Sequence, residues 1–166
     1  MASSNGLGPD YDISSALTPV DLAAGNNTGH RLNMTNVKSV DIVLLKAAGT
    51  AGQNPVITLK SHTASTGGTT SNLAVITEYH HKSEATLDGD ETWTRVTQAA
   101  AATVTGVADN EQIIVINVRA DQLPQTDNYL SVDIADPGAA AQLGGAFYII
   151  HKHDKGEPTS FPAPLR

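Results

Sequence analysis

The fold class of this chain is decided by one short stretch, Ile-Ile-Val-Ile-Asn-Val at Ile113–Val118. β-branched side chains are restricted at χ1 and pack well on a pleated surface, so a run of them favours a strand over a helix. An almost continuously apolar run between polar neighbours predicts a strand that is covered on both faces. Because Asn117 interrupts the run, we expect its face to lie near a sheet end or to provide a hydrogen-bond partner.

Two other apolar runs, Val40–Leu45 and Phe147–Ile150, have the same character. We expect the three runs to form the inner strands of one sheet, because inner strands are the most completely buried. The hydrophobic core is then predicted to include residues from all three runs. These are Ile42, Leu44, Ile113, Val115 and Ile149.

Strand patterns and turn signals alternate along the rest of the chain. Alternating or β-rich segments predict further strands at residues 55–62, 73–82, 92–97 and 129–134. The segment from Thr18 to Gly25 predicts one helical turn, with Thr18 as N-cap and Pro19 at the first helical position. Ala99–Ala102 is ambiguous, but the following Thr and Val favour an edge strand. About eight strands with no alternating helices predict an all-β, antiparallel β-sandwich that is jelly-roll-like.

The 166 residues predict a single domain, with a body at 11–152 and extended arms at both ends. The N-terminal arm, residues 1–10, is small, polar and Gly-rich. The C-terminal tail, residues 153–166, is Pro-rich and favours extended geometry. We expect both arms to become ordered on assembly, and the tail to contribute more affinity. The candidate interface residues are Leu7, Tyr11, Phe161 and Leu165.

Composition excludes several classes of function. The chain has no cysteine, so disulfides and thiolate metal sites are impossible. A formal net charge of −7 argues against binding to the nucleic-acid backbone. No signal-peptide pattern opens the chain and no apolar run has membrane-spanning length, so we expect no membrane association. Aromatic residues make up only 4% of the chain, which predicts an aliphatic core.

The most suggestive metal pattern lies near the C-terminal end. Gly145, His151, His153 and Glu157 match the first half of the metal motif of cupins, in which two histidines and a carboxylate converge. The motif ends in glycine, where this chain has Pro164, and no second motif follows to supply the remaining histidine. We therefore expect no metal and no cofactor at this position.

Other candidate chemistry has simpler interpretations. His80 and His81 are adjacent on a predicted strand, so they project to opposite faces. Asp88-Gly89-Asp90-Glu91 supplies carboxylates without the spacing of a calcium loop, which favours a solvated turn. Trp93 could stack on a sugar, although core or interface packing is commoner. Neither a nucleophile elbow nor a phosphate-binding loop is present, and we expect no catalytic residues and no enzymatic activity.

Three stretches together resemble the head decoration (cement) proteins of tailed bacteriophages. The first runs from Lys46-Ala-Ala-Gly-Thr-Ala-Gly-Gln-Asn-Pro55 into Val56–Leu59, and the second is Trp93-Thr-Arg-Val-Thr-Gln-Ala-Ala-Ala101. The third runs from Ile113 through Ser131-Val-Asp-Ile-Ala-Asp136 to Ala141-Gln-Leu-Gly-Gly145. The resemblance extends over about residues 37–150.

This resemblance implies a structural virion protein that is made in the host cytoplasm and binds the outer surface of the phage head. Its expected partners are the major capsid protein and further copies of itself, with a homotrimer favoured. An acidic protein is compatible with this role because it is not attracted to packaged DNA. The alternative is a carbohydrate-binding or tail-fibre adhesion module, which would need a cluster of exposed aromatics. A more remote alternative is a cupin-like metalloprotein. Architecture alone does not choose among these.

Overall fold

The structure, a computed structural model, describes residues 11–152, and these form an all-β fold. Eight strands have seven or more residues, and four have two or three. The strands are β1 (Tyr11–Asp21), β2 (Asn27–Thr28), β3 (Leu32–Asn33), β4 (Val37–Lys46), β5 (Val56–His62), β6 (Thr70–Asn72), β7 (Ile76–Glu84), β8 (Thr94–Ala101), β9 (Thr103–Thr105), β10 (Glu111–Arg119), β11 (Tyr129–Ala135) and β12 (Leu143–Lys152). Single 3₁₀ turns follow β1 at Leu22–Ala24 and β10 at Ala120–Gln122.

Two antiparallel sheets form a β-sandwich, as the sequence predicts. Sheet I has the order β1-β12-β4-β10-β7-β8. Sheet II has the order β2-β11-β5-β6, with β3 also paired to β11 and β9 to β5. The prediction of about eight strands matches the longer ones. It missed the short pairings, because two or three residues are too few to show a period. No helix in residues 11–152 is long and apolar enough to cross a membrane.

The three apolar runs lie side by side at the centre of sheet I, in β12, β4 and β10. Each inner face packs against sheet II, where Leu59, Leu130 and Val132 are buried. Tyr148 of β12 is fully buried, and its hydroxyl donates to the carbonyl oxygen of His30 at 2.8 Å. This bond gives the phenol a partner inside the aliphatic core.

The prediction that β10 is covered on both faces is wrong within the described residues. Ile114, Ile116 and Val118 are buried in the core, whereas Ile113 and Val115 lie on the outer face and are only half-buried. Side chains alternate along a strand, so one face meets sheet II and the other does not.

The predicted core set is therefore only partly correct. Ile42 and Leu44 are in the core, but Ile113, Val115 and Ile149 are on the outer face. In a run that is apolar at every position, hydrophobicity carries no information about which alternate residues face inward.

The predicted helical turn exists but begins later than expected. β1 continues through Thr18 and Pro19, and Asp21 caps the 3₁₀ turn by accepting a hydrogen bond from the backbone of Ala23. Gly25 ends the turn with φ of 135°, as predicted. Pro19 is tolerated in β1 because this strand is an edge whose register shifts between Leu17 and Val20.

Other predicted boundaries moved by a few residues. The strand expected at 73–82 begins at Ile76, and Ala99–Ala101 lie in the edge strand β8 as predicted. The strand that contains Val40–Leu45 begins at Val37, and Asn36, with φ of 64°, separates it from the short β3. Asn is one of the few residues that adopt this left-handed conformation without a large penalty.

Candidate interaction surface

The outer face of sheet I carries apolar side chains in register across its central strands. Phe147 of β12 pairs with Val43 of β4, and Val43 pairs with Val115 of β10. In the adjacent row, Leu45 of β4 pairs with Ile113 of β10. Side chains directly opposite one another in antiparallel strands are about 4.5–5.5 Å apart at Cβ, so these residues form a continuous surface.

This surface is extended on its β1 side and toward the start of β12. Ile13 pairs with Ile149, and Leu143 lies at the first position of β12. The exposed fractions of Leu143, Leu45 and Ile13 are 63%, 52% and 46%. The described residues thus leave these large apolar side chains open to solvent. We call this surface the outer apolar patch, consisting of Ile13, Val43, Leu45, Ile113, Val115, Leu143, Phe147 and Ile149.

A groove of about 560 Å³ lies at the end of the patch where β12 begins. Leu17 and Pro19 line the groove from β1, and Leu45, Leu143 and Phe147 line it from the central strands. Gly145 is part of its lining, and a Cβ there would lie 3.1 Å from the Cα of Pro19. The glycine therefore allows β1 to approach β12 closely and shape one side of the groove.

A polar cluster borders the patch at the far end of β12. His151 Nε2 lies 2.7 Å from Asp41 Oδ2, and Asn117 donates to Asp41 Oδ1 at 2.6 Å. The partner expected for Asn117 is thus present. Tyr11 packs edge-on against His151 with ring centroids 4.8 Å apart. This candidate interface residue contacts its own domain and remains 37% exposed.

The opposite border carries charged residues of β7 and β8. Arg95 Nε donates to Glu78 Oε2 at 3.0 Å, and this bond lowers the pKa of Glu78. The Lys82 ammonium lies 5.4 Å from the ring centroid of Trp93, which is 52% exposed. Polar borders on both sides of an apolar patch are typical of protein interaction surfaces.

The adjacent histidines of β7 point to opposite faces, as predicted. His80 pairs with Val115 on the outer face and is exposed. His81 is half-buried, with its ring centroid 6.0 Å from that of Tyr79. The two imidazoles therefore do not form one site.

Sequence reasoning missed a serine–histidine contact inside sheet II. His62 Nε2 lies 2.9 Å from Ser131 Oγ, and His62 Nδ1 lies 2.9 Å from Thr70 Oγ1. Ser131 is fully buried, so a substrate cannot reach its hydroxyl. A catalytic histidine also needs a group that orients it and stabilises its charged form, and Thr70 offers only a neutral hydroxyl. The arrangement is therefore a structural hydrogen-bond network.

Burial, followed by the nearby Arg31 guanidinium, lowers the pKa of His62 to about 4. The unfolded chain takes up a proton near pH 6.5 that the folded protein does not. We therefore expect stability to decrease as the pH falls from 6.5 to 4, by up to about 3 kcal/mol. Urea unfolding at several pH values measures this loss. His62→Gln should flatten the profile, because glutamine does not titrate in this range. An equal slope in wild type and His62→Gln would contradict the assignment.

The acidic turn before β8 brings three carboxylates together. Asp88, Asp90 and Glu91 each offer an oxygen within 4.8 Å of the others. Asp88 and Asp90 are exposed, as expected for a solvated turn, whereas Glu91 is partly buried. Exposed carboxylates at a turn commonly cluster without an ion, so this geometry alone does not define a metal site.

A scan against protein-family models and a search of curated proteins both find no match to this chain. Of the four candidate interface residues, Leu7, Phe161 and Leu165 lie outside the described residues, as do His153 and Glu157 of the cupin-like pattern. The structure instead adds Leu45 and Leu143, which the sequence analysis did not single out. Leu45 belongs to an apolar run that predicts an inner strand, whereas Leu143 stands between Gln142 and Gly144 and has no strand pattern of its own.

Proposed function

We propose that this protein is a structural decoration protein that binds the outer surface of a phage head and stabilises it. One observation supports this proposal most directly. The outer face of sheet I is apolar in the same strands that form the core, and the described residues leave Ile13, Leu45 and Leu143 exposed there. Exposed apolar side chains that the domain does not use for its own folding commonly mark a surface that contacts another protein.

The chemistry of residues 11–152 supports a binding role over catalysis. The serine–histidine pair is buried, and the groove next to the outer apolar patch is lined mainly by aliphatic residues and Phe147. The net charge of −7 favours a protein partner over packaged DNA. The resemblance over residues 37–150 supplies the specific partner, the major capsid protein.

The aromatic residues give less support to a carbohydrate-binding module. Trp93 and Tyr11 are the exposed large aromatics of the described residues. Trp93 directly precedes β8, and Tyr11 begins β1, so they are at opposite edges of sheet I. Sugar-binding surfaces commonly need aromatic rings that act together, and this pair is separated by the width of the sheet.

Co-sedimentation with empty heads tests the proposal. The heads are assembled from the major capsid protein of the phage whose genome encodes this chain, and the purified protein is added at increasing concentration. We expect saturable binding with a fixed number of copies per head. Bovine serum albumin, an acidic protein, controls for nonspecific trapping. Co-sedimentation no greater than that of the control would refute the decoration role.

Deleting residues 157–166 should weaken binding to heads and leave the melting temperature of the monomer unchanged. Phe161 and Leu165 are each worth about 1.5–3 kcal/mol if a neighbour buries them fully. The three prolines of the tail reduce the entropy that is lost on docking. The matched control deletes residues 2–9, where Leu7 is the one large apolar side chain, and should weaken binding less. If the tail-deleted protein has a lower melting temperature but binds heads as well as wild type, then the tail stabilises its own domain and does not contribute to head binding.

A further inference from the structure

The groove beside β1 can hold a ligand of its own and is therefore considered separately from the rest of the outer apolar patch. Its volume of about 560 Å³ suits a short peptide segment or a few large side chains, not a domain. It opens on the outer face of sheet I, and its lining includes the apolar side chains of Leu45, Leu143 and Phe147. An occupant with large apolar side chains therefore suits it.

We propose that the groove holds the C-terminal segment, residues 153–166, of a neighbouring copy of this chain. Phe161 and Leu165 are the large apolar side chains of that segment. Pro158, Pro162 and Pro164 lack backbone donors, so the segment is poorly suited to pair as an added strand. Proline-rich segments bind instead by placing side chains into apolar grooves, and their limited freedom lowers the entropic cost.

The groove and the segment offer one pair of opposite charges, Glu111 and Arg166. Glu111 lines the groove beside Lys46 and Ala47. Arg166 directly follows Leu165 in the sequence. Seating Leu165 among the aliphatic side chains places this cation within reach of the Glu111 carboxylate. A planar guanidinium pairs well with a carboxylate, so this contact also orients the segment.

The direction of β12 indicates a neighbouring copy as the source of the segment. β12 begins at Leu143 beside the groove and ends at Lys152, which lies about 17 Å beyond Phe147 at the usual strand rise. The chain thus leaves its sandwich moving away from its own groove. Docking in the same copy requires a reversal and a return across the Tyr11–His151 contact.

A neighbour lying ahead of β12 requires no reversal. Residues 153–166 span at most about 50 Å when extended, which is enough to reach such a copy. The resulting contact is head-to-tail, since the tail of one copy meets the groove of the next. Repeated contacts of this kind close into a ring if the rotation permits. The inference goes beyond the proposed decoration role, because it concerns contacts between copies of this chain in the absence of phage heads.

The absence of cysteine permits a direct disulfide test on the full chain. Leu143→Cys lies in the exposed rim of the groove, and Pro164→Cys lies between the two apolar anchors. The two single variants are mixed, oxidised mildly and run on a non-reducing gel. We expect a covalent dimer that is much more abundant in the mixture than in either variant alone. Ala135→Cys, at an exposed position of sheet II, replaces Leu143→Cys in the control mixture, which should give little product.

The double variant Leu143→Cys/Pro164→Cys identifies the source of the segment. Cross-linked oligomers support exchange between copies. A monomer with an internal disulfide would show that the segment covers its own groove and would overturn the proposal. Absence of any cross-link, under conditions where both thiols react with a maleimide, would also overturn it.

Self-association in solution gives a second readout that does not depend on cysteine. Analytical ultracentrifugation should show that Leu45→Lys and the double variant Phe161→Ala/Leu165→Ala each weaken association by about 10-fold or more. Ala135→Lys is the matched surface control and should have no effect. Mixing the groove variant with the tail variant should restore heterodimers, since each retains one intact half. A wild-type protein that stays monomeric at high concentration would refute the contact without bearing on head binding.

Discussion

Replacing Ile114 by alanine is expected to lower the free energy of unfolding by about 2–5 kcal/mol. Ile114 is 1% exposed at the centre of β10, where it pairs with Leu44 of β4 and faces sheet II. Truncation removes buried carbon atoms and leaves a cavity between two sheets whose backbones are held by hydrogen bonds. The surrounding side chains cannot fill this cavity easily, because the strands on both sides of β10 fix the position of its backbone.

The neighbouring residue provides the control for this expectation. Ile113→Ala changes the same side chain one position earlier, on the outer face, where Ile113 is only half-buried. We expect a loss of about 1 kcal/mol or less in dilute protein. Urea unfolding, with the midpoint and slope fitted separately, compares the two variants. Equal losses would mean that the inward and outward faces of β10 have been assigned wrongly.

Replacing Lys46 by methionine is expected to destabilise the fold by about 1–2 kcal/mol at pH 7, because the desolvation cost that methionine removes offsets part of the lost hydrogen bonding. Lys46 is 1% exposed, and its ammonium donates to the carbonyl oxygens of Val107, Ala108 and Asn110. Methionine has a similar shape but donates no hydrogen bond. Its presence leaves the partly buried carbonyl groups of Val107 and Asn110 without this donor, whereas the carbonyl of Ala108 still accepts from Gly49 and Gln142.

The matched control is Lys60→Met. The ammonium of Lys60 bonds the side chain of Asn72 at the surface, so we expect a change of about 0.5 kcal/mol or less. Urea unfolding at pH 7 compares the two variants. If Lys46→Met is no less stable than Lys60→Met, then Lys46 does not hold the loop at residues 106–110.

Lys46 should also make stability depend on pH in the alkaline range. Burial lowers its pKa to about 8, whereas an unfolded lysine retains its proton to about pH 10.5. Between these values the unfolded state binds more protons, so stability contributed by this group rises with pH. Lys46→Met should lack this contribution. The difference between the wild-type and variant profiles isolates it from other groups that titrate at high pH.

Most of the long strands could be predicted from local sequence. The β-branched runs identify β4, β10 and β12, and alternation identifies β5 and β11, because these patterns follow from side-chain geometry within one strand. β1 was missed at Thr18 and Pro19, which have strong helical-turn signals. Proline is normally excluded from strands because it lacks a backbone donor. It is tolerated in β1 because this strand lies at the sheet edge with a shifted register, and its pairing with β12 places it there.

The candidate surface could be predicted less well than the fold. Tyr11 is one of the candidate interface residues, yet it packs on His151. The sequence does not identify Leu45 as a surface residue, because an apolar residue in an apolar run is interpreted as buried, and Leu143 stands alone between Gln142 and Gly144. Their exposure depends on which face meets sheet II, and a single strand does not contain that information.

The sequence by itself determined an all-β sandwich with three central apolar strands, since β-branched runs and turn signals act over short distances. The tertiary structure decided which alternate residues enter the core, and it therefore decided that Ile114 is buried and Ile113 is not. It also brought Lys46 to the loop at 106–110 and His62 to Ser131, across separations of about 60–70 residues. These contacts depend on strand register and on the packing of two sheets, which are properties of the whole chain. The open apolar face of sheet I has the same origin, because the fold supplies one covering layer for strands whose side chains are apolar on both sides.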